Sequence, residues 1–241
     1  MTPDLLPLLA TGLVAFGLAA VAQAVTGFGS ALVSVPLLTL VVHPAEAVVA
    51  ATLLGLVLAG WGASRERAHA DRPRAGRLVL TGALGIPIGL ALLLVLDERV
   101  LQLVIGSTVL VLVALLAAGL RIRSTSTTLT VAGLTSGALL TSTGMNGPPL
   151  VMVLRGLSPR TSRATLQVVF CVQDAVAVVG FGVVGRLTAP TLALAAAGAL
   201  AVPVGWRIGD GLFHRLPARA LHWLVLGGLA ASGCAAVLAA R

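Results

Sequence analysis

The chain contains no lysine and no tyrosine, and it has few aromatic residues and few charges. Among its 241 residues, 3% are aromatic, 10% are charged and 58% are hydrophobic. Both of its cysteines, Cys171 and Cys234, lie within apolar runs, so they indicate neither a disulfide framework nor a paired-cysteine metal site. No spacing of His, Cys and carboxylate residues suggests metal ligands, and no Ser, His and acid arrangement singles out a hydrolase. We therefore expect no metal, no cofactor and no enzymatic activity.

Apolar sequence dominates the chain, with a mean hydropathy of +1.05. No soluble domain of this size could bury that much apolar surface, so the composition predicts a polytopic, all-helical membrane protein. The net charge of +8 does not indicate nucleic-acid binding, because the arginines lie almost entirely in short loops between apolar runs. The chain begins without a positive charge before Leu5, so we interpret its first apolar run as a retained span rather than a cleaved signal peptide.

Ten apolar runs divide the single integral membrane domain, residues 1–241. Two of them, 31–42 and 148–157, are too short to span a bilayer comfortably as helices. The runs lie at about 5–25, 31–42, 45–64, 78–96, 100–120, 128–142, 148–157, 164–185, 189–206 and 217–240.

The arginines predict how these runs are oriented. If all ten change sides, thirteen arginines share one face, and three share the other. The larger group contains Arg65, Arg67, Arg72, Arg74, Arg77, Arg121, Arg123, Arg155, Arg160, Arg163, Arg207, Arg215 and Arg219, and the smaller one Arg99, Arg186 and Arg241. If the two short runs returned to their own face, the split would be nine against seven. Because basic residues favour cytoplasmic loops, we predict about ten segments in an inner (plasma) membrane, with both termini non-cytoplasmic.

An internal repeat relates the two halves of the chain. The segment 82–89, with its Gly-x-x-x-x-Pro-x-Gly pattern, recurs at 198–205, an offset of 116. This predicts one repeat at about 5–120 and a second at about 128–240. Five runs per half is an odd number, so the second copy would be inverted in the membrane. Inverted repeats are typical of secondary transporters, which hold substrate between the repeats near the midplane.

Two glycine-rich breaks occupy matching places in the repeats. One comprises residues 26–30 and the other residues 143–149, and each leads into a short apolar run. Broken helices in corresponding positions are a pointer to a transport site. Free N–H groups at the start of each new helix would form an anion site, and Pro148 suits the first turn of the second one.

With these motifs the chain resembles the TauE/SafE family, the exporters of sulfite and organosulfur anions. The resemblance rests on the break at 26–30 with Val35 and Pro36 after it, on residues 144–149, and on the paired Gly-x-x-x-x-Pro-x-Gly segments. It implies export of a small anion such as sulfite, an organosulfonate or a small carboxylate. Ser30 and Asn146 stand where the family tends to have glycine, which leaves the substrate open.

The candidate substrate-binding residues come from the two breaks and the polar residues beside them. They are Gln23, Thr26, Gly27, Gly29, Ser30, Thr143, Gly144, Asn146, Gly147 and Pro148. The glycines of the paired segments 82–89 and 198–205 are better explained by close helix packing than by substrate binding. A single Ser or Thr near the breaks more often satisfies a carbonyl of its own helix.

Asp174 is the only acid deep within an apolar run. Because charges are costly inside a membrane, such an acid is a functional suspect. We interpret it as a candidate for proton coupling, with Gln167 and Gln173 as polar companions, against the alternative of a structural carboxyl bonded to a neighbouring helix.

The sequence therefore favours a transporter of a small anion, surrounded by lipid bilayer and without a nucleic-acid partner. A passive anion channel is the alternative within transport, and it would leave Asp174 without a coupling role. An accessory subunit of a membrane complex and an intramembrane enzyme are the alternatives from other classes. The oligomeric state stays open, a homo-oligomer included.

Overall fold

The computed structural model describes residues 5–26, 28–119 and 122–215, together with residues 227, 230, 231, 233–235, 237 and 238. The described residues form helices joined by short turns and contain no strands, which confirms the all-helical class. The helices are α1 (Leu5–Thr26), α2 (Ser30–Leu38), α3 (Pro44–Glu66), α4 (Arg72–Val95), α5 (Glu98–Ala117), α6 (Ser126–Thr143), α7 (Gly147–Leu154), α8 (Pro159–Val183) and α9 (Ala189–Arg215), with a 3-10 turn at Arg67–His69.

Five of the described helices, α3, α4, α5, α8 and α9, are long and apolar enough to cross a membrane. Helix α1 has a shorter apolar stretch at Ala10–Ala24. At 1.5 Å per residue, the nine residues of α2 and the eight of α7 extend only about 14 Å and about 12 Å, so neither crosses alone. The predicted tenth segment, 217–240, lies mostly outside the described residues. The count of ten segments therefore stays a prediction.

Local sequence explains where the helices begin. Three of the long helices, α3, α4 and α8, have proline in the first turn, where a missing N–H costs nothing. Asp71 and Ser158 cap α4 and α8 by accepting hydrogen bonds from the N–H groups of Arg74 and Thr161. Thr125 opens α6 in the same way, through a capping box with Thr128.

Three contacts bring one end of the bundle together. Glu66 at the end of α3 pairs with Arg163 on α8 at 3.4 Å. The Asp71 N–H donates to the Thr165 hydroxyl at 3.0 Å, and Arg77 of α4 donates to Ser126 at the start of α6. This arginine-rich end carries Arg65, Arg67, Arg72, Arg74, Arg77, Arg123, Arg155, Arg160 and Arg163.

Helices α6 and α7 form a hairpin that returns to the arginine-rich end. The Ile122 N–H donates to the Met152 carbonyl at 3.4 Å, and the Ser124 hydroxyl donates to the Val153 carbonyl. Residues that precede α6 therefore lie beside the last turn of α7. This hairpin does not lead to the split of nine arginines against seven, because α6 and α7 return together and leave the side of every other loop unchanged.

The α1–α2 pair follows the same plan from the opposite end. Its chain continues into α3 at His43, whose imidazole lies 3.7 Å from Glu98 at the start of α5. That end is opposite the arginine-rich end, since α3 runs from His43 to Glu66. Both short helices thus begin inside the bundle, and each is directed toward a different face.

Glycine contacts fix how the helices pack. Gly89 and Gly85 of α4 press on the backbone of α6, and Gly198 and Gly205 of α9 press on α1. Successive contacts advance in the same direction along both partners, so α4 runs parallel to α6 and α9 runs parallel to α1. Helices α3 and α8 pack against each other. The interpretation that the glycines of the paired segments 82–89 and 198–205 allow close helix packing is confirmed.

We expect Gly89→Ala to destabilise the protein more than Gly198→Ala. A Cβ at residue 89 would overlap the Ala138 carbonyl, which is backbone and cannot rotate away, whereas a Cβ at residue 198 would meet the Phe16 ring. Overpacking costs on the order of 1–3 kcal/mol, and Gly89→Ala should lie near the upper bound. Thermal unfolding in detergent checks the order, with Gly76→Ala as control because no atom lies within 4 Å of its Cβ position. Equal unfolding temperatures for Gly89→Ala and Gly76→Ala would contradict it.

Candidate functional site

A small buried cavity lies where the two breaks meet, halfway along α3 and α8. Its free volume is about 20 Å³, close to the space that one water needs. This space is too small for an anion such as sulfite. The lining residues are Gln23, Gly29, Ser30, Ala31, Leu32, Ala51, Thr52, Gly55, Ala59, Gly144, Met145, Asn146, Gly147, Phe170 and Asp174. Six of these belong to the predicted binding set.

The first break turns at Gly29, whose φ of 102° lies in the left-handed region that favours glycine. Helix α2 starts immediately after it. The side-chain oxygen of Gln23 accepts the N–H of Ser30 at 3.1 Å. The expectation that all the first N–H groups of this helix are free is therefore wrong for Ser30. The N–H groups of Ala31 and Leu32 belong to the same first turn, where no carbonyl of the helix can accept them.

The second break turns at Gly144, with φ of 79°, after which Asn146 precedes α7. Helix α7 is poor in donors, because Pro148 and Pro149 have no N–H. Its first turn thus offers the N–H of Gly147 and little else. More of the free backbone N–H groups therefore lie at the start of α2 than at the start of α7.

Asp174 faces the cavity from α8 and is 4% exposed. Its Oδ1 accepts a hydrogen bond from the Asn146 side-chain amide at 3.0 Å. Its Oδ2 lies 2.9 Å from the position that a Cβ of Gly55 would occupy, so a side chain larger than glycine on α3 would collide with the carboxyl group. The acid is thus held between α3 and the second break. No basic side chain is among the described residues that line this cavity.

The two glutamines predicted as companions of Asp174 make other contacts. Gln173 donates to the Leu78 carbonyl at 3.1 Å, and its side-chain oxygen lies 2.9 Å from the Ser136 hydroxyl. That hydroxyl also lies 2.9 Å from the Asn146 carbonyl, so it donates to one of the two at a time. Gln167 packs on Gly62 of α3.

Most hydroxyl groups near the breaks bond to carbonyls, as the sequence predicted. Ser142 and Thr143 donate to the carbonyls four residues earlier at 2.7 and 2.8 Å, and Thr141 donates to the Ile86 carbonyl of α4 at 2.8 Å. Thr143 can therefore accept a hydrogen bond but has committed its proton. Of the remaining predicted residues, Gly27 and the Thr26 side chain lie outside the described part of the chain.

Comparison with known families shows which family the chain belongs to. The family model for the sulfite exporter TauE/SafE matches residues 12–236. The chain belongs to the TauE/SafE family. Its five apolar helices and this membership make it a multi-pass membrane protein of a transporter family for sulfite or related anions. Neither the curated proteins nor the solved structures give a match.

Sequence reasoning missed four residues in or beside this cavity of the TauE/SafE protein. Gly55 and Thr52 come from α3, in the middle of a long apolar run that carries no break. The ring of Phe28 lies 3.2 Å from the Cβ position of Gly147, with Phe170 on the other side at 3.6 Å. One signal existed for Gly55, since its helix α3 has the same place in the predicted first repeat as α8 has in the predicted second one.

Proposed function

We propose that this TauE/SafE protein is a secondary transporter with an inverted 5+5 repeat, which exports a small anion through the cavity between its two breaks. The observation that carries the proposal is the convergence of both breaks, one from each half and each entering from a different end, on a single buried acid. The parallel pairs α1–α9 and α4–α6 support the repeat, because each joins the first helix of one half to the fourth of the other.

The anion would be held by neutral donors. The N–H groups of Ala31, Leu32 and Gly147 border the cavity, together with the side chains of Ser30 and Asn146. Backbone N–H groups at helix starts suit sulfite, a sulfonate or a carboxylate, because they point at the ligand and carry the positive end of the helix dipole. The cavity is small, so the bundle must open for such an anion to enter.

The negative charge of Asp174 sets the condition for binding. Two like charges about 4 Å apart repel by about 4 kcal/mol at an effective dielectric constant of about 20. That repulsion would weaken anion binding roughly a thousandfold. A protonated Asp174 removes it, so anion and proton would bind together and cross together. Net flux then follows the combined gradients of anion and proton, so export requires an outward anion gradient that is larger than any inward proton gradient.

A passive anion channel is the second candidate. It would leave Asp174 with a structural role only. Radiotracer flux in proteoliposomes separates the two, with sulfite, sulfoacetate, sulfate and acetate as substrates. A coupled transporter accumulates one of them above its outside concentration when the outside is acidic. A channel equilibrates it and no more. Absence of flux for every substrate, in protein that unfolds cooperatively, would favour an accessory subunit.

Orientation can be tested by thiol labelling of intact cells, after Cys171 and Cys234 are replaced by alanine. We expect Ala68→Cys, Thr125→Cys and Ser158→Cys to resist a membrane-impermeant reagent, because the arginine-rich end faces the cytoplasm under the positive-inside rule. Ala189→Cys, at the opposite end, should react. Labelling of Thr125→Cys without Ser158→Cys would contradict the returning α6–α7 hairpin, and labelling of Ala68→Cys would reverse the orientation.

A further inference from the structure

Two further cavities lie at the arginine-rich end and share Ile122. The larger has a volume of about 560 Å³ and separates α5 from the α6–α7 hairpin. The smaller has a volume of about 380 Å³ and is lined by Arg74, Ile122, Arg123, Ser124, Arg155, Gly156 and Leu157. Neither contains a residue of the cavity between the breaks.

The larger cavity, called the α5–α6 crevice here, has the depth of one membrane leaflet. It extends along α5 from Ser107 to Leu115 and along α6 from Thr127 to Leu139. At 1.5 Å per residue these stretches are about 12 and about 18 Å long, close to half of the roughly 30 Å hydrocarbon core. Its lining is mainly apolar, and Val111 and Val131 are more than half exposed on it. An apolar chain fits this crevice, whereas a small anion gains nothing there.

The smaller cavity, called the arginine cavity here, carries positive charge from three different elements. Arg74 comes from the start of α4, Arg123 from the loop before α6, and Arg155 from the end of α7. The acid Asp71 pairs with Arg74, and no acid lines the cavity among the described residues. Guanidinium groups bind phosphate through paired N–H donors, and basic pockets between membrane helices on the cytoplasmic side bind anionic headgroups.

We propose that the two cavities together hold one anionic phospholipid of the leaflet at the arginine-rich end. Its headgroup phosphate is bound by Arg74, Arg123 and Arg155, and an acyl chain fills the α5–α6 crevice past Ile122. The lipid fills the space between α5 and the hairpin that carries Asn146 and Gly147. It therefore supports the hairpin from the side opposite to the transport cavity.

The test compares lipids of identical acyl chains. Detergent-purified protein is mixed with phosphatidylglycerol or phosphatidylcholine, and retained lipid is counted by native mass spectrometry alongside the unfolding temperature. We expect one phosphatidylglycerol to be retained and to raise the unfolding temperature, with no such effect of phosphatidylcholine. Equal retention of both lipids would overturn the role of the arginines.

Two kinds of variant separate the headgroup from the chain. The triple change Arg74→Gln, Arg123→Gln and Arg155→Gln should weaken retention on the order of a hundredfold. The matched control changes Arg65, Arg72 and Arg160 to Gln, which removes the same charge from exposed positions at the same end. Equal loss in both triples would overturn a local site.

Val131→Trp tests the crevice with every arginine in place, since residue 131 lines it and is 59% exposed. It should abolish retention of phosphatidylglycerol without unfolding the protein. Retention unchanged in Val131→Trp, or thermal protection by inorganic phosphate equal to that by phosphatidylglycerol, would replace the lipid with a small anion and overturn the proposal.

Discussion

Asp174→Asn abolishes accumulation driven by a pH gradient and leaves counterflow near the wild-type rate. This is the expected result in proteoliposomes, for whichever anion proves to be the substrate. Asparagine keeps the size of the side chain and can still bond to Asn146, but it has no proton to exchange. The site stays neutral at every pH, so the anion binds and exchanges across the membrane without moving a proton.

A structural role for Asp174 gives a different pattern. If the carboxyl group served only to join α8 to the second break, accumulation and counterflow would fall together with the unfolding temperature. Glu98→Gln is the matched control, because it removes an acid whose side chain is 61% exposed at the opposite end from the arginines. Gradient-driven accumulation that survives in Asp174→Asn would end the case for proton coupling through this residue and favour the channel.

Gly147→Val should reduce flux to the level of empty liposomes while membrane expression stays near normal. A Cβ at residue 147 would lie 3.2 Å from Phe28 and 3.6 Å from Phe170, and the larger valine side chain would enter a cavity of about 20 Å³. It would also cover the one N–H that the start of α7 offers. The neighbours are side chains rather than backbone, so the fold can adjust while the anion loses its place.

The control for Gly147→Val is Gly76→Val, at the arginine-rich end of α4. A Cβ there has no atom within 4 Å, so the same substitution adds the same bulk without touching the cavity. Flux should stay near the wild-type rate. Transport by Gly147→Val at the rate of Gly76→Val would show that residue 147 borders no substrate path, and the proposed site would be misplaced.

The cavity between the two breaks could be predicted from the sequence to the extent that it depends on local breaks. Glycines at 29 and 144 are needed for left-handed turns, and Asp174 is conspicuous because a charge is costly in an apolar run. The cap from Gln23 to Ser30 and the contact from Asp174 to Gly55 were not predictable, because each joins residues of different helices. Run length could not distinguish a returning hairpin from two crossings, since both leave the next loop on the same face.

Gln167 and Gln173 illustrate the same difficulty from the other side. Each was paired with Asp174 because of its place in the sequence, yet Gln173 faces Leu78 and Ser136, and Gln167 packs on Gly62. Gln173 is adjacent to Asp174 on α8 and therefore points in a direction about 100° away, whereas Gln167 lies seven residues, or about 10 Å, earlier along the helix. The partner of Asp174 is Asn146, 28 residues away.

The composition of the α6–α7 hairpin has a consequence for how the chain is made. Helix α6 has 18 residues, about half of them serine or threonine, and it is not among the helices apolar enough to cross a membrane. A nascent hairpin would therefore stay at the membrane surface when it leaves the ribosome, with arginines on both of its flanks. Helix α4 is already inserted by then, and α6 can pack against its glycines Gly82, Gly85 and Gly89. Entry of the hairpin into the bilayer then depends on its docking to α4. Insertion of the hairpin is therefore a folding step that follows insertion of the long helices.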